Sequence, residues 1–161
     1  MTVKAFRRYS AFLLLVLLVF FVYTLGNKIV IVSGKSMQPT LCDGYWVTAK
    51  LIDVPRLDKV YMLKEPENGA LVIKRLVGVP GDKIEFRDGA LYRNDILITE
   101  SGGTSWDNMF AILGEDEYLF VGDNRAESYD GRSWSRFTKR SEIEYELRTV
   151  IKPLDAYGDL R

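Results

Sequence analysis

From Tyr9 to Asn27 the chain carries no charge, and Ala11–Leu25 is almost wholly Leu, Val and Phe. A helix of that length reaches roughly 28 Å, near the thickness of a bilayer's hydrocarbon core. No polar face interrupts the run, which argues against a surface helix of a soluble domain. Lys4, Arg7 and Arg8 precede it. Basic residues on that flank predict a cytoplasmic segment 1–8, a membrane anchor 9–27, and residues 28–161 on the far side. The rival reading is a cleaved signal peptide. The run is long for one, and Thr24-Leu25-Gly26-Asn27 is a weak match to a small-x-small cleavage site.

After the apolar run the period changes to two. Strands are predicted over 29–32, 46–52, 60–63 and 71–77, then over 83–87, 90–93, 96–99, 118–121 and 145–151. Pro80-Gly81-Asp82, Asp88-Gly89 and Asn94-Asp95 supply the turns between them. Ser101–Ser105 reads as a polar loop. The expected fold is therefore mainly β: a small barrel or sandwich domain behind one N-terminal transmembrane helix, with 83–117 as a hairpin and loop insertion. At 161 residues there is room for one main folding unit.

Composition removes several function classes. The 22 basic and 22 acidic residues balance, so no bulk field points to nucleic acid, and no basic or aromatic nucleic-acid signature is present. The chain has no histidine. That excludes Ser-His-Asp and Cys-His catalysis and most zinc hydrolase sites, and no metal or organic cofactor is expected. Any nucleophile needs another base, and lysine is the main candidate. The single cysteine, Cys42, reads as a small buried hydrophobe.

Three stretches stand out against that background. The first is Ser33-Gly34-Lys35-Ser36-Met37-Gln38-Pro39-Thr40. Gly34-Lys35-Ser36 ends like a phosphate-binding loop, but Ile29 stands where that motif needs glycine, and Pro39 interrupts the helix it needs. In the second stretch, Val72, Lys74 and Leu76 fall on one face of a strand, and Ile73, Arg75 and Val77 on the other. Apolar neighbours would lower the pKa of Lys74 and let a neutral amine accept a serine proton. The alternative is an edge strand from which Lys74 reaches water. The third stretch is the polar loop Gly122-Asp123-Asn124-Arg125, followed by Ser128, Asp130 and Arg132.

Together, in this order and spacing, the three resemble the sequence boxes of type I signal peptidases, membrane-bound serine proteases with a Ser/Lys dyad. The resemblance implies Ser36 as nucleophile, Lys74 as general base, and Ser128 as the hydroxyl that holds the lysine amine. It implies an oxyanion hole built from the Ser36 N–H, with Gly34 or Ser33 near the second donor. It also implies an Asp130–Arg132 ion pair bracing the loop, with Asp123, Asn124 and Arg125 as structural support. Arg56-Leu57-Asp58-Lys59-Val60 resembles a further box, with Leu57 where the family usually has glycine. Gly34 stands where some relatives carry a serine hydroxyl, and Ser135 where many carry glycine.

The function so implied is removal of signal peptides from exported preproteins at the outer face of the membrane. The partners are those precursors and the lipid bilayer, and Met37 and Trp46 are candidates for lipid contact or for ordinary core. A specialised pilin-processing peptidase fits the same boxes. Two alternatives remain: a self-cleaving Ser/Lys domain, and a catalytically inactive anchored β-domain that binds exported proteins.

Overall fold

The computed structural model describes residues 9, 10, 12–18, 21, 26–100 and 108–153. Ten strands follow the helical residues, all in antiparallel pairings. They are β1 (Asn27–Ile31), β2 (Trp46–Leu51), β3 (Val60–Lys64), β4 (Leu71–Gly78), β5 (Lys83–Arg87), β6 (Ala90–Arg93), β7 (Ile96–Glu100), β8 (Met109–Ile112), β9 (Leu119–Val121) and β10 (Ile143–Ile151). A six-stranded sheet has the order β1-β2-β10-β3-β4-β9, and a four-stranded sheet the order β7-β6-β5-β8.

The turn chemistry explains the second sheet. Asp88 and Gly89 adopt φ of 51° and 71°, and Asn94 and Asp95 adopt 50° and 65°. Positive φ at both central residues is the backbone of two-residue hairpins, and Asp, Asn and Gly tolerate it best. The first turn fixes the pairing Arg87↔Ala90 between β5 and β6, and the second Arg93↔Ile96 between β6 and β7. The sheet's fourth strand, β8, was not foreseen from the pattern. It is four residues long and alternates half-buried and exposed positions.

Three apolar clusters make up the core, and the first joins the two sheets. Val77, Ile84, Phe86, Leu91, Leu113, Leu119 and Val121 draw on both sheets. Tyr61, Leu63, Leu76, Phe120, Trp134 and Ile143 fill the region behind β3 and β4. Val32, Met37, Leu41, Tyr45 and Val47 pin the β1–β2 connection. Met37 is thus a core residue, and Trp46 is about half exposed.

The expected anchor falls partly outside the described residues. Residues 9, 10, 12–18 and 21 are helical, and Phe12, Leu14 and Leu18 among them are exposed. Among the described residues no helix is long and apolar enough to cross a membrane. Asn27, expected as the end of the anchor, is the first residue of β1. The loop expected at Ser101–Ser105 also lies outside the described residues.

Gly78, the last residue of β4, lies where the two sheets approach closely. A Cβ there would lie 2.9 Å from Leu113 Cδ1 and 3.0 Å from Ile84 Cδ1. Gly78→Val is expected to cost about 1–3 kcal/mol through overpacking. A lower urea midpoint with an unchanged m-value is the measurement that checks it.

Candidate active site

β4 carries two consecutive cations on opposite faces, and each has a separate task. Lys74 lies directly across from Tyr61 of β3 in the ladder. Val72 and Leu76 flank it on the same face, and Leu76 and Phe120 belong to the cluster behind it. The side chain is buried. Burial pushes the Lys74 amine below the ordinary lysine value of 10.5, and Arg132 adds to the fall; Asp130 and Glu65 oppose it. The edge-strand alternative is excluded, because β4 lies between β3 and β9.

Arg75 points the other way. Its Nε and Nη2 donate to the two carboxylate oxygens of Asp123 at 2.7 and 2.6 Å. Its Nη1 donates to the Asp58 carbonyl at 2.6 Å. The strand thus holds the start of the polar loop in a two-pronged grip. Burial raises the Asp123 carboxyl, but hydrogen bonds from Arg75 and Thr40 outweigh it and leave the group below the usual range.

Ser36 is delivered by the β1–β2 connection. Gly34 turns the chain at φ of +93°, a region glycine adopts without a Cβ penalty. Its N–H donates to Asp43 Oδ1 at 2.8 Å. Met37 and Leu41 then drive into the core cluster, which leaves Ser36 half-buried at the rim. There the Lys74 amine donates to Ser36 Oγ at 2.8 Å. Residues 38 positions apart, on a loop and a strand, are in hydrogen-bond contact.

The polar loop clamps the serine from behind. The Asn124 N–H donates to the Ser36 carbonyl at 3.0 Å, and its side-chain amide donates to the Lys35 carbonyl at 3.2 Å. Within the loop, Arg132 Nε and Nη2 donate to the Asp130 oxygens at 2.8 and 3.0 Å, with both side chains buried. The Gly122 N–H donates to Asp130 Oδ2 at 2.8 Å, and Arg132 Nη2 also donates to the Arg125 carbonyl at 2.8 Å. Burial would raise the Asp130 carboxyl, but Arg132 and the Gly122 N–H hold it below its ordinary value of 3.8. Burial beside Arg132 lowers the Arg125 guanidinium.

Not every expected contact is made. Ser128 Oγ is buried and makes no hydrogen bond to Lys74; its side chain instead lies near enough to the Asp130 carboxyl to help lower it. It packs against Gly122, where a Cβ would collide with it and approach the Ser36 carbonyl oxygen to 2.5 Å. The Gly34 N–H is committed to Asp43 and so is not free for an oxyanion. The Ser36 N–H donates to no described residue. Ser33, exposed, lines the same cleft as Ser36.

That cleft has a volume of about 270 Å³ and runs between the end of β1 and the start of β4. Ile31, Met62, Leu71 and Ile73 give it apolar walls, with Ser36 and Lys74 beside them. A nucleophilic hydroxyl, a low-pKa amine and an apolar groove together fit acyl transfer on an extended peptide. Cys42 is free and half-buried beside the Met37 cluster. Among the described residues no cluster of carboxylates, Cys and His is arranged to hold a metal. Sequence reasoning missed the clamping role of Arg75, and gave Asn124 only as structural support without its grip on the Ser36 and Lys35 carbonyls. For Arg75 the signal was available, since a charge next to a buried lysine must emerge on the opposite face.

The chain is similar in sequence to known proteins of one kind. The family profile described as signal peptidase, peptidase S26 matches residues 5–150. Signal peptidase I P of Bacillus subtilis subsp. natto is 29% identical over 164 residues, covering 91% of this chain and 88% of that protein. Signal peptidase I of Streptococcus pneumoniae is 32% identical, covering 79% of this chain and 83% of that protein. A crystal structure of a signal peptidase I from Enterococcus faecalis is 28% identical with a TM-score of 0.48. It covers 61% of this chain and 99% of that one.

Removing the loop's internal counter-ion should be costly. Asp130→Asn removes the buried counter-charge of the Arg132 guanidinium, at about 3–5 kcal/mol. Because the native carboxyl is depressed, its contribution is present above the ordinary value of 3.8 and is lost as pH falls toward the native value. Urea unfolding at pH 7 and at pH 3 should show a large difference between wild type and variant at pH 7 that shrinks at pH 3.

Proposed function

Because the chain belongs to the signal peptidase family, peptidase S26, we propose that it is a membrane-anchored serine endopeptidase that removes signal peptides from exported precursor proteins. The observation that carries the reading is the 2.8 Å contact between a buried lysine amine and a serine hydroxyl at the edge of an apolar cleft. Two relatives named as signal peptidase I support the substrate class.

In this mechanism the Lys74 amine must be neutral. With its proton lost, the contact reverses and the Ser36 hydroxyl donates to the nitrogen lone pair. Ser36 Oγ then attacks the scissile carbonyl as its proton passes to Lys74. The Ser36 N–H, engaged by no described residue, donates to the developing oxyanion. The resulting ammonium protonates the leaving amine, and an acyl-enzyme remains on Ser36. Water activated by the same lysine releases it. Ser128 serves as a packing hydroxyl that fixes the position of the loop behind Ser36, with Asp130 and Arg132 bracing that loop and Asp123, Asn124 and Arg125 supporting it. Ser33 is the hydroxyl closest in sequence that faces the same cleft.

The cleft's apolar walls suit an extended peptide with small side chains around the cleavage point, since added methylenes clash in a closed pocket. The uncharged run 9–27 and its basic flank support a single anchor, with segment 1–8 cytoplasmic and 28–161 extracytoplasmic. The exposed apolar side chains along the described helical residues agree with lipid as their surroundings. The pilin-processing specialisation finds no support in the comparisons.

Ser36→Ala and Lys74→Ala should each lower kcat/KM on a model preprotein in detergent by more than about a thousandfold, with circular dichroism unchanged. Wild-type kcat/KM should rise with pH as the amine deprotonates, with a midpoint below the ordinary 10.5. Undiminished cleavage by either variant would reject the mechanism. Cleavage of the chain only within itself would favour the self-cleaving alternative, and no cleavage at all the binding domain.

A further inference from the structure

The backbone donor assigned to the oxyanion belongs to the peptide between Lys35 and Ser36, and that peptide is held at its opposite end. Its nitrogen end carries the Ser36 N–H, engaged by no described residue. Its oxygen end, the Lys35 carbonyl, takes two hydrogen bonds. The Gln38 N–H donates to it at 3.1 Å from within the same loop. Asn124 Nδ2 donates to it at 3.2 Å from the polar loop. Together the two donors fill both lone pairs of the oxygen.

A planar peptide links what happens at its two ends. The Lys35–Ser36 bond is trans, so its C=O and N–H point in opposite directions within one plane. Fixing the carbonyl therefore aims the N–H. Hydrogen bonds accepted at the oxygen also draw charge along the amide and make the N–H a stronger donor. Only one orientation of the Asn124 amide suits this contact, since its NH2 can pair with a carbonyl and its oxygen cannot.

The backbone that carries Asn124 is fixed on three counts. Its own N–H donates to the Ser36 carbonyl at 3.0 Å. Its carbonyl accepts the Glu127 N–H at 3.1 Å. Asp123, one residue earlier, sits in the two-pronged grip of Arg75 at 2.7 and 2.6 Å. The half-buried side chain thus reaches the Lys35 carbonyl from a backbone already committed to the serine loop.

We propose that Asn124 is a positioning residue for the oxyanion hole: through the Lys35 carbonyl, its side-chain amide aims and polarises the Ser36 N–H. The inference rests on the peptidase reading above and gives Asn124 a part beyond support of the loop. As Ser36 Oγ bonds to the scissile carbonyl carbon, the carbonyl electron pair moves to oxygen and the serine proton moves to Lys74 Nζ. Negative charge then stands before the Ser36 N–H, and a donor already aimed at it needs no reorganisation. Asn124 itself touches neither the substrate nor the proton.

Binding of a tetrahedral adduct and binding without reaction can be read separately. Asn124→Ala and Asn124→Leu both remove the amide and leave the residue's backbone N–H on the Ser36 carbonyl. Leucine also fills the space, so it carries the test if the alanine variant does not fold. For each full-length variant, kcat and KM are measured on a model preprotein in detergent. Inhibition constants follow for a peptide aldehyde ending in alanine and for the matching primary alcohol. Ser36 adds to the aldehyde carbon and creates an oxyanion, whereas the alcohol binds without reacting. The kcat should fall about tenfold while KM holds, less than the roughly hundred- to thousandfold loss that follows removal of an oxyanion donor itself. The aldehyde should weaken by about the same factor, and the alcohol not at all. The acid limb of kcat/KM should stay at its wild-type pH, because the lost group is uncharged. A merely structural role would weaken both inhibitors alike. That result, or an unchanged kcat, in a folded variant would overturn the proposal. A wild type that cleaves no preprotein would instead reject the peptidase reading, and this role with it.

Discussion

An ammonium cannot be buried cheaply, and the site is arranged around that cost. Lys74 stands between Val72 and Leu76 and opposite Tyr61, so water is largely kept from its amine. Removing solvent destabilises the charged form more than the neutral one. The same burial sets the direction of the amine, and the Ser36 hydroxyl is the group it meets. In a chain without histidine, this one desolvated contact is what the proposed peptidase mechanism uses as its base and nucleophile.

The rest of the domain keeps that contact in register. β4 alternates, so placing Lys74 inward sends Arg75 outward, and Arg75 grips Asp123 at the mouth of the polar loop. One residue later, Asn124 holds the carbonyls on both sides of Ser36, its own and that of Lys35. The buried Asp130–Arg132 pair stiffens the loop from within. Met37 and Leu41 fix the nucleophile loop from below. A shift of the loop would therefore strain several charge-assisted hydrogen bonds before it moved the serine away from the amine.

Local patterning carried most of this. The tight hairpins were readable because Asp-Gly and Asn-Asp accept the positive φ that such turns impose. The long strands were readable because their faces alternate. β8 was not, since four residues of mild alternation beside a polar stretch give little periodic signal. Among site residues, Ser36 and Lys74 emerged from three separated motifs taken together. Their contact depends on tertiary packing that no single stretch encodes. Ser128 was expected to bond Lys74, and it packs on Gly122 instead; a hydroxyl's direction is set by neighbours distant in sequence. Gly34 was expected near the oxyanion, but Asp43, nine residues away, takes its N–H.

The central claim is that this lysine is a neutral amine under conditions in which ordinary lysines are charged. The most direct measurement is a ¹⁵N NMR titration of the Lys74 amine in the wild-type chain in detergent micelles, assigned by loss of its signal in Lys74→Ala. A transition displaced below the ordinary value of 10.5 and sensitive to Ser36→Ala is expected. A transition at the ordinary lysine value, indifferent to Ser36, would contradict it.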